Sequence, residues 1–424
     1  MRRKIAIIGA GSVYTPELVT EFFKDGGKLV PFDRMSLHDI NPQRLEVVGG
    51  LTQRMAHRQG VPAKVTLTAS LAAAVRDADF VITQMRVGGN AARYLDETIP
   101  LKYNVIGQET TGPGGLFKAL RTIPALVAVA KAIRQHAPRA WMLNFANPSG
   151  IVTEGVLKAV PGTKMLGICS AQVGRAWWVS RALGVNPRRI TLRSCGLNHL
   201  AWIYRICVDG RNVTDRFFKL PNKRLKLTGW DPGLLRSIRG VPIGYLHYFY
   251  DTASMIKHAR KDGTRAQKVL KIEKILLKRY ADKTLDVPPD ELKLRGGSGY
   301  SVTMSTVMSA LTGRRKVTIP MNVQAGKAWE GFGREQTVEI DSKLEPHAVT
   351  PLKVSLPEIP PSQLGLTHAV KAYETLTVEA ALTGSYTKAL AAMIANPLVP
   401  DRTVAKRILD EMLKAHRKHL PQFN

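Results

Sequence analysis

Cys169 and His199 are the two residues of this 424-residue chain whose types and positions first suggest chemistry. Cys169 ends one short apolar run and His199 lies just before another, so both are expected at strand ends, where side chains converge on sites. A thiolate and an imidazole are both ligands for a borderline divalent cation. Equally, a buried cysteine is often a small apolar side chain, and a single histidine is often a core residue. The pair indicates a metal site only if the rest of the chain supplies a matching fold.

A glycine-rich turn near the start of the chain predicts a nucleotide site. The apolar run Lys4–Ile8 is followed at once by Gly9-Ala-Gly11-Ser12-Val13 and by the helix-like stretch "PELVTEFFKDG". Strand, glycine turn and helix in this order let backbone N–H groups approach a pyrophosphate, so we expect cofactor contacts from Gly9, Gly11, Ser12 and Val13. A second apolar strand over residues 35–38 ends at Asp39. A carboxylate there would hold a ribose hydroxyl and favour NAD over its phosphorylated form, with a helix cap as the alternative role.

Strands and helices alternate over residues 1–165. The first two strands are followed by strand-like "KVTLTAS", helix-like "LAAAVRDA", strand-like "DFVITQM", helix-like "ALRTIPALVAVAKAIRQHA" and strand-like "AWMLNFANPSG". This alternation predicts an α/β domain with a doubly wound (Rossmann) parallel sheet, whose ligands lie at the carboxyl ends of its strands. The polar segments "MRVGGNAAR", "GQETTGPGG" and "NFANPSG" are predicted as loops at those ends, where a substrate would meet the cofactor.

Mixed periodicity after Ile203 predicts that residues 166–424 form a larger α+β domain, which we expect to pack over the nucleotide cleft. Strand-like "AWIYRICV", "KVTIPMNV" and "EQTVEID" occur among helix-like segments, and the last sixty residues are helical. The stretch "RGGSGYS" predicts a glycine-rich turn. The basic block over residues 257–283 has helical periodicity, so most of its charges are expected on the solvated face of a helix.

Length and composition limit the class of protein. No apolar run approaches the ~18 residues that span a bilayer, and the start "MRRKIAIIGAGS" reaches glycine too soon for a signal peptide, so we expect a cytoplasmic protein without membrane association. Three cysteines are too sparse for a disulfide scaffold and are expected as thiols. The net charge of +29 fits nucleic acid, an anionic substrate or a basic surface. Because zinc-finger and RNP-type patterns are absent, nucleic-acid binding is not expected as the main function.

Together these motifs resemble glycoside hydrolase family 4, the NAD-dependent and metal-dependent glycosidases. The resemblance spans essentially the whole chain, through "KIAIIGAGSVYTPELV", "RVGGNAARYLDETIPLKYNVIGQETTGPGG", "NFANPSGIVTE", "GLNHLAW", "TRAQKVLKIEK", "RGGSGYS" and "AVKAYETLTVEAALTG". The later motifs look most like the 6-phospho-β-glucosidase branch. The resemblance implies NAD and Mn²⁺, or another divalent cation, as cofactors and a 6-phosphorylated β-glucoside as substrate. We also expect a homodimer or homotetramer.

The resemblance also implies roles for individual residues. Cys169 and His199 match the family's metal ligands, and Tyr245, in "GYLHYFY", matches its tyrosine base. Contacts to the sugar or its phosphate are implied for Arg93, Asn147 and Arg265. The family usually carries Asn, Asp or His directly after the metal-binding cysteine, whereas this chain carries Ser170. Ser170 is expected to contact substrate, but a hydroxyl is no acid at neutral pH, so the group that protonates the leaving group stays open.

The implied chemistry is hydrolysis assisted by a transient oxidation. Hydride transfer from C3 of the sugar to NAD acidifies the C2 proton, a base removes it, the C1 substituent is eliminated, water adds and the hydride returns. The alternatives are the same mechanism on an α-linked glycoside or with another C6 anion such as a sulfonate, an NAD-dependent sugar or 2-hydroxy-acid dehydrogenase, or a basic nucleic-acid-binding protein. For single residues, the alternatives are that Tyr245 packs on a helix face and that the arginines pair with acids such as Asp96 or Glu97.

Overall fold

The computed structural model describes residues 3–170, 172, 174–296 and 299–423. Parts of two predicted motifs, Ala171 and Val173 of "CSAQVG" and Gly297 and Ser298 of "RGGSGYS", lie outside the described residues. The strands are β1 (Lys4–Ile8), β2 (Arg34–His38), β3 (Lys64–Thr68), β4 (Phe80–Thr83), β5 (Trp141–Asn144), β6 (Met165–Gly167), β7 (Ile190–Leu197), β8 (Leu200–Val208), β9 (Arg211–Asn212), β10 (Val241–Pro242), β11 (Val317–Gln324), β12 (Thr337–Glu345) and β13 (Ala348–Pro351).

The α-helices connect and cover these strands. They are α1 (Thr15–Phe23), α2 (Pro42–Arg58), α3 (Leu71–Val75), α4 (Gly89–Lys102), α5 (Gly112–His136), α6 (Ser149–Ala159), α7 (Arg175–Leu183), α8 (Thr214–Phe218), α9 (Asn222–Leu225), α10 (Pro232–Ile238), α11 (His247–Tyr250), α12 (Thr252–Asp262), α13 (Arg265–Ala281), α14 (Glu291–Leu294), α15 (Tyr300–Leu311), α16 (Pro361–Thr383), α17 (Tyr386–Ala395) and α18 (Arg402–His416). In the described part of the chain, no helix is both long and apolar enough to cross a membrane.

The described strands form one mixed sheet. Its order is β10-β8-β7-β12-β11-β6-β5-β4-β1-β2-β3, with β13 beside β12 and β9 beside β8. The first six strands pair in parallel in the order 3-2-1-4-5-6, which is the order of a doubly wound nucleotide-binding sheet. The predicted α/β fold class is therefore confirmed.

The second half of the chain extends this sheet with antiparallel strands. β11 pairs with β6 through Asn322 and Gly167, and β12, β7, β8 and β10 follow in antiparallel order. One contiguous apolar core runs through both halves. The predicted division after residue 165 falls within β6. That division stays a prediction.

Two segments predicted as polar loops are partly helical. From Gly89 onward, the residues of "MRVGGNAAR" are part of α4. From Gly112 onward, the residues of "GQETTGPGG" are part of α5. Glycine disfavours helices in isolation, but here it permits close backbone contact, since a Cβ on Gly114 would lie 2.2 Å from the Gln108 carbonyl oxygen. Packing thus outweighs the low helix propensity of glycine. As a result, Arg93 lies in the second turn of α4 and not in a loop.

The basic block forms helices, as predicted. α13 buries Ala266, Val269, Leu276 and Tyr280 along one face. Lysines of the same helix, at positions 268, 271, 274 and 278, are exposed. The helix therefore packs by its apolar face and leaves most of its charge in solvent.

Candidate active site

A cleft of about 1290 Å³ opens at the carboxyl ends of the parallel strands, where ligands of doubly wound sheets bind. All five predicted cofactor residues line it. The predicted catalytic residue and three of the predicted substrate contacts also line it, namely Tyr245, Arg93, Asn147 and Arg265. Cys169, His199 and Ser170 are not among the lining residues, but the His199 ring stacks on Tyr245, which lines the cleft.

The glycine turn after β1 is packed too tightly for larger residues. Gly9 has a φ of +88°, and a Cβ there would lie 2.9 Å from the Cα of Met85. A Cβ on Gly11 would lie 2.8 Å from Cγ of Asp39. The amides of Gly11 and Asn41 each donate a hydrogen bond of 2.9 Å to the Asp39 carboxylate. Asp39 therefore braces the turn, and its oxygens keep further lone pairs that can accept a ribose hydroxyl.

His199 lies in the tight turn between β7 and β8, with a φ of +64°. Its Nδ1 is 2.8 Å from the hydroxyl of Thr110, and that hydroxyl donates to Oε1 of Gln108 at 2.7 Å. Because a hydroxyl has one proton, Thr110 must accept from Nδ1–H, which leaves the lone pair on Nε2 of His199. Burial lowers the pKa of His199 to about 3, so the ring is neutral, as a metal ligand must be.

Cys169, His199 and Tyr245 lie close together. The rings of His199 and Tyr245 are stacked with centroids 3.6 Å apart and an interplanar angle of 4°. Burial raises the pKa of Tyr245 well above its ordinary value, and a charge on Cys169 adds to the shift. Cys169 lies two residues after the end of β6 at Gly167, and this position brings it near Tyr245. Ser170 follows in a bend and is half-buried.

The donor set fits a catalytic metal ion better than a structural one. Within the described ranges, no group of three or more His, Cys, Asp or Glu side chains could hold a metal. Cys169 and His199 would supply two ligands of the sulfur and nitrogen types that borderline cations accept. The remaining positions would be open to water and substrate oxygens, as in catalytic sites.

Glu109 is a central residue of the cleft that sequence reasoning missed. Nζ of Lys118 donates to its Oε2 at 2.6 Å, Nη1 of Arg93 lies 3.2 Å from its Oε1, and Arg86 forms a third ion pair. Burial opposes ionisation, but these three cations outweigh it and hold the pKa of Glu109 well below its usual range. The pKa of Lys118 falls to about 7 because it is buried and faces Arg86. No sequence signal singled out Glu109 beyond its place in "GQETTGPGG".

The two predicted phosphate-site arginines differ in their partners. Arg93 is buried, and its Nε donates to Glu97 at 2.7 Å, so the alternative of pairing with an acid does apply to it. Arg265 is exposed at the start of α13, and its Nη2 donates to the carbonyl oxygens of Leu294 at 3.2 Å and Arg295 at 2.5 Å. Among the described residues Arg265 makes no ion pair, so its charge is available to a ligand.

Arg295 is a second cleft residue that the sequence did not single out. Its Nε is buried and has no hydrogen-bond partner in the described part of the chain. Burial, together with the charges of Arg86 and Arg93, lowers the pKa of Arg295 to about 10. A buried N–H group without a partner, in surroundings with excess positive charge, is suited to an anionic ligand.

Comparison with known proteins agrees with this geometry. Residues 4–185 match the family described as "Family 4 glycosyl hydrolase", and residues 194–399 match "Family 4 glycosyl hydrolase C-terminal domain". A Bacillus subtilis protein named "probable 6-phospho-beta-glucosidase" is 40% identical over 99% of this chain and 98% of its own.

Two solved structures share the whole fold. The 6-phospho-beta glucosidase from Thermotoga maritima, solved with manganese, NAD⁺ and glucose-6-phosphate, is 33% identical, with a TM-score of 0.88 and 99% of each chain covered. A 6-phospho-alpha-glucosidase from gut microorganisms, solved with NAD and Mn²⁺, is 26% identical, with a TM-score of 0.89 and 100% of each chain covered.

The fold and the cleft thus define an α/β enzyme built on a dinucleotide-binding sheet. The chain belongs to family 4 of the glycosyl hydrolases. This confirms the resemblance that the sequence motifs carry.

Proposed function

We propose that this chain hydrolyses 6-phosphorylated β-glucosides and uses NAD and a divalent cation, Mn²⁺, as cofactors. One observation carries the proposal: a single cleft is lined by the glycine turn, by Tyr245 and by a buried cation-rich side, and the Tyr245 ring stacks on His199 and lies near Cys169. The names of the relatives at 34–40% identity support the substrate class.

Separate residues would hold the two cofactors. The turn at Gly9 and Gly11 would hold the pyrophosphate of NAD, together with Ser12 and Val13 just before α1, and Asp39 would bind a ribose hydroxyl. Cys169 and Nε2 of His199 would hold the cation. When bound, NAD supplies a hydride acceptor, and the cation supplies a Lewis acid and positive charge.

Tyr245 would take the C2 proton of the sugar. Burial raises the pKa of Tyr245, whereas a base must be able to lose its proton near neutral pH. The role therefore requires positive charge near Tyr245 to lower its pKa. Burial lowers the pKa of Arg93, but nearby negative charges, Glu109 first and a Tyr245 phenolate among them, raise it overall. Arg93 is therefore within electrostatic reach of Tyr245 and favours the phenolate.

The anionic end of the sugar would lie against Arg265 and Arg295. Arg295 offers a buried N–H group with no partner among the described residues, and Arg265 offers a charge without an acid partner there. Asn147 lines the same cleft and would contact the sugar. Ser170 is half-buried directly after Cys169 and would also contact the sugar. The Ser170 hydroxyl is no acid at neutral pH, so the group that protonates the leaving group stays open.

Two alternatives are distinct from this proposal. The gut 6-phospho-alpha-glucosidase has the same fold and coverage, which supports an α-linked substrate as one alternative. Another C6 anion, such as a sulfonate, would suit the same arginines. A simple dehydrogenase of sugars or 2-hydroxy acids would need only a histidine base and an arginine clamp. The thiol of Cys169 beside Tyr245 would have no role in it, which favours hydrolysis.

The test is hydrolysis of four nitrophenyl glucosides, α- and β-linked, each with and without a 6-phosphate. We expect turnover of the 6-phosphorylated β-glucoside only when NAD, Mn²⁺ and a thiol reductant are all present. Turnover of the α-linked compound instead would select the α alternative, and accumulation of NADH without nitrophenol would select the dehydrogenase.

Arg265 gives a sharper test of the anionic site. A charge-assisted hydrogen bond contributes roughly 1.5 to 3 kcal/mol, which is about tenfold to over a hundredfold in affinity. We expect Arg265→Ala to lower the ratio of kcat/KM for the phosphorylated over the plain glucoside by about that factor, with Arg265→Lys retaining part of it. A ratio that is high and unchanged in Arg265→Ala would reject this residue, and a wild-type ratio near one would reject phosphate recognition.

The proposal also includes a cytoplasmic location and a homodimer or homotetramer. It includes the division of the chain into a cofactor domain (1–165) and a metal and substrate domain (166–424). The location is supported by the need to keep the Cys169 thiol reduced. Light scattering of the purified chain tests the oligomeric state.

A further inference from the structure

Glu339 is a buried carboxylate on β12 that accepts hydrogen bonds from three amide side chains. It is 1% exposed and is not among the residues that line the cleft. Nε2 of Gln172 donates to its Oε1 at 2.5 Å. Nδ2 of Asn198 and Nδ2 of Asn322 each donate to its Oε2 at 3.1 Å. One side chain therefore joins three segments that are distant in the sequence.

Two of these amides hold the segment of Cys169 from both sides. Gln172 is three residues after Cys169, and its Oε1 also accepts from Nη1 of Arg175 at 3.0 Å, at the start of α7. Asn322 uses the same Nδ2 to donate to the carbonyl oxygen of Gly167 at 3.3 Å, two residues before Cys169. The carboxylate thus fixes both flanks of the short segment that carries the thiol.

The third amide holds the turn of His199. Asn198 directly precedes the histidine, and its Oδ1 accepts from the backbone N–H of Ser149 at 3.1 Å, at the start of α6. Ser149 follows the Asn147–Pro148 bond, so the loop of Asn147 is tied to the same centre.

These segments are packed without room to shift. A Cβ on Gly167 would lie 2.7 Å from Cβ of Asn322, and one on Gly150 would lie 3.2 Å from Cβ of Asn198. Asn322 and Asn198 therefore lie directly against the backbone at Gly167 and Gly150, and their hydrogen bonds act within close packing.

We propose that Glu339 is a positioning residue that sets the separation of the two metal ligands, Cys169 and His199, by acting through Gln172 and Asn198. This rests on the proposed function, in which those two residues hold the cation. Glu339 touches neither the cation nor the substrate. A carboxylate suits this place because it is acceptor-only and can satisfy three N–H donors at once.

The test compares Mn²⁺ affinity, measured by titration of the full-length chain without substrate, across three variants. Glu339→Gln keeps the size but turns an acceptor oxygen into an N–H₂ group that faces the amide of Gln172. The double variant Gln172→Glu with Glu339→Gln reverses this contact, so that the new amide at position 339 donates to the new carboxylate at position 172. The second oxygen of that carboxylate can still accept from Arg175. Glu345→Gln, at the end of the same strand, controls for the loss of one charge.

We expect Glu339→Gln to bind Mn²⁺ at least tenfold more weakly at unchanged NAD affinity, as outer partners of metal ligands do when removed. The double variant should regain most of the loss, and Glu345→Gln should match the wild type. If Glu339→Gln does not fold, Gln172→Met gives the same test. Wild-type Mn²⁺ affinity in the folded variant, or a double variant no tighter than the single one, would overturn the inference. Failure of the wild type itself to bind Mn²⁺ would instead reject the proposed metal site.

Discussion

At the scale of single residues, the proton of one hydroxyl sets the chemistry of the candidate metal ligand. Oε1 of Gln108 accepts from the backbone N–H of Thr110 at 2.6 Å, so this atom must be the amide oxygen. The Thr110 hydroxyl donates to the same oxygen and can therefore only accept from His199. The chain Gln108–Thr110–His199 thus orients the ring and leaves Nε2 for a ligand bond.

We expect Thr110→Val to weaken Mn²⁺ binding by about 10- to 100-fold, because the isosteric side chain cannot accept from Nδ1–H. Thr110→Ser keeps the hydroxyl and should bind Mn²⁺ nearly as the wild type does. The measurement is a Mn²⁺ titration of both variants, with NAD affinity as the check on folding. Equal Mn²⁺ affinity in the valine and serine variants would contradict this tautomer argument.

Residues whose type has an intrinsic chemistry can be named as site candidates from the sequence, whereas residues whose character depends on their neighbours cannot. Cys169, His199 and Asp39 are suggested as candidates by their types and by their positions beside apolar runs. Glu109 and Arg295 gain their character from neighbours distant in the sequence, namely three cations around one carboxylate and a buried N–H group lacking a partner among the described residues. Such surroundings are a product of the fold.

At the scale of elements, glycine allows two backbone segments to touch near α4, in addition to its role in turns. The segment before α5 passes so close to α4 that a Cβ on Gly107 would lie 1.7 Å from the carbonyl oxygen of Glu97. The side chain of Glu97 accepts from Nε of Arg93 at 2.7 Å and from the backbone N–H of Ala266 at 2.7 Å. The glycine therefore supports a contact among α4, the segment before α5 and the start of α13.

We expect Gly107→Ala to lower the free energy of unfolding by about 1–3 kcal/mol or more, because backbone atoms must shift to admit the methyl group. The matched control is Gly365→Ala in α16, where no atom lies within 4 Å of an added Cβ. That variant should be stabilised by up to about 1 kcal/mol, since alanine is the better helix former. Denaturant unfolding of both variants gives the comparison, and equal stability of the two would refute the contact argument.

At the scale of the whole molecule, the sheet joins what the sequence presents as two domains. The parallel pairing of the first strands could be predicted, because strands that alternate with helices form parallel sheets. The junction could not, because β6 pairs with β11 through residues 155 positions apart, and no local pattern marks that contact. The two halves consequently share one apolar core.

A shared sheet and core predict that the chain unfolds in one cooperative transition that NAD shifts as a whole. A ligand that binds only the folded state stabilises it by about 2.7 kcal/mol at 100 times its Kd. β1 and β12 lie on opposite sides of the junction between β6 and β11. The predicted NAD residues lie only in the first half. If unfolding is cooperative, NAD should nevertheless slow hydrogen exchange equally in both strands. Hydrogen exchange followed by mass spectrometry, with and without NAD, makes the comparison. Slower exchange in β1 with unchanged exchange in β12, or two calorimetric transitions, would mean that the halves unfold independently and that the junction is too weak to couple them.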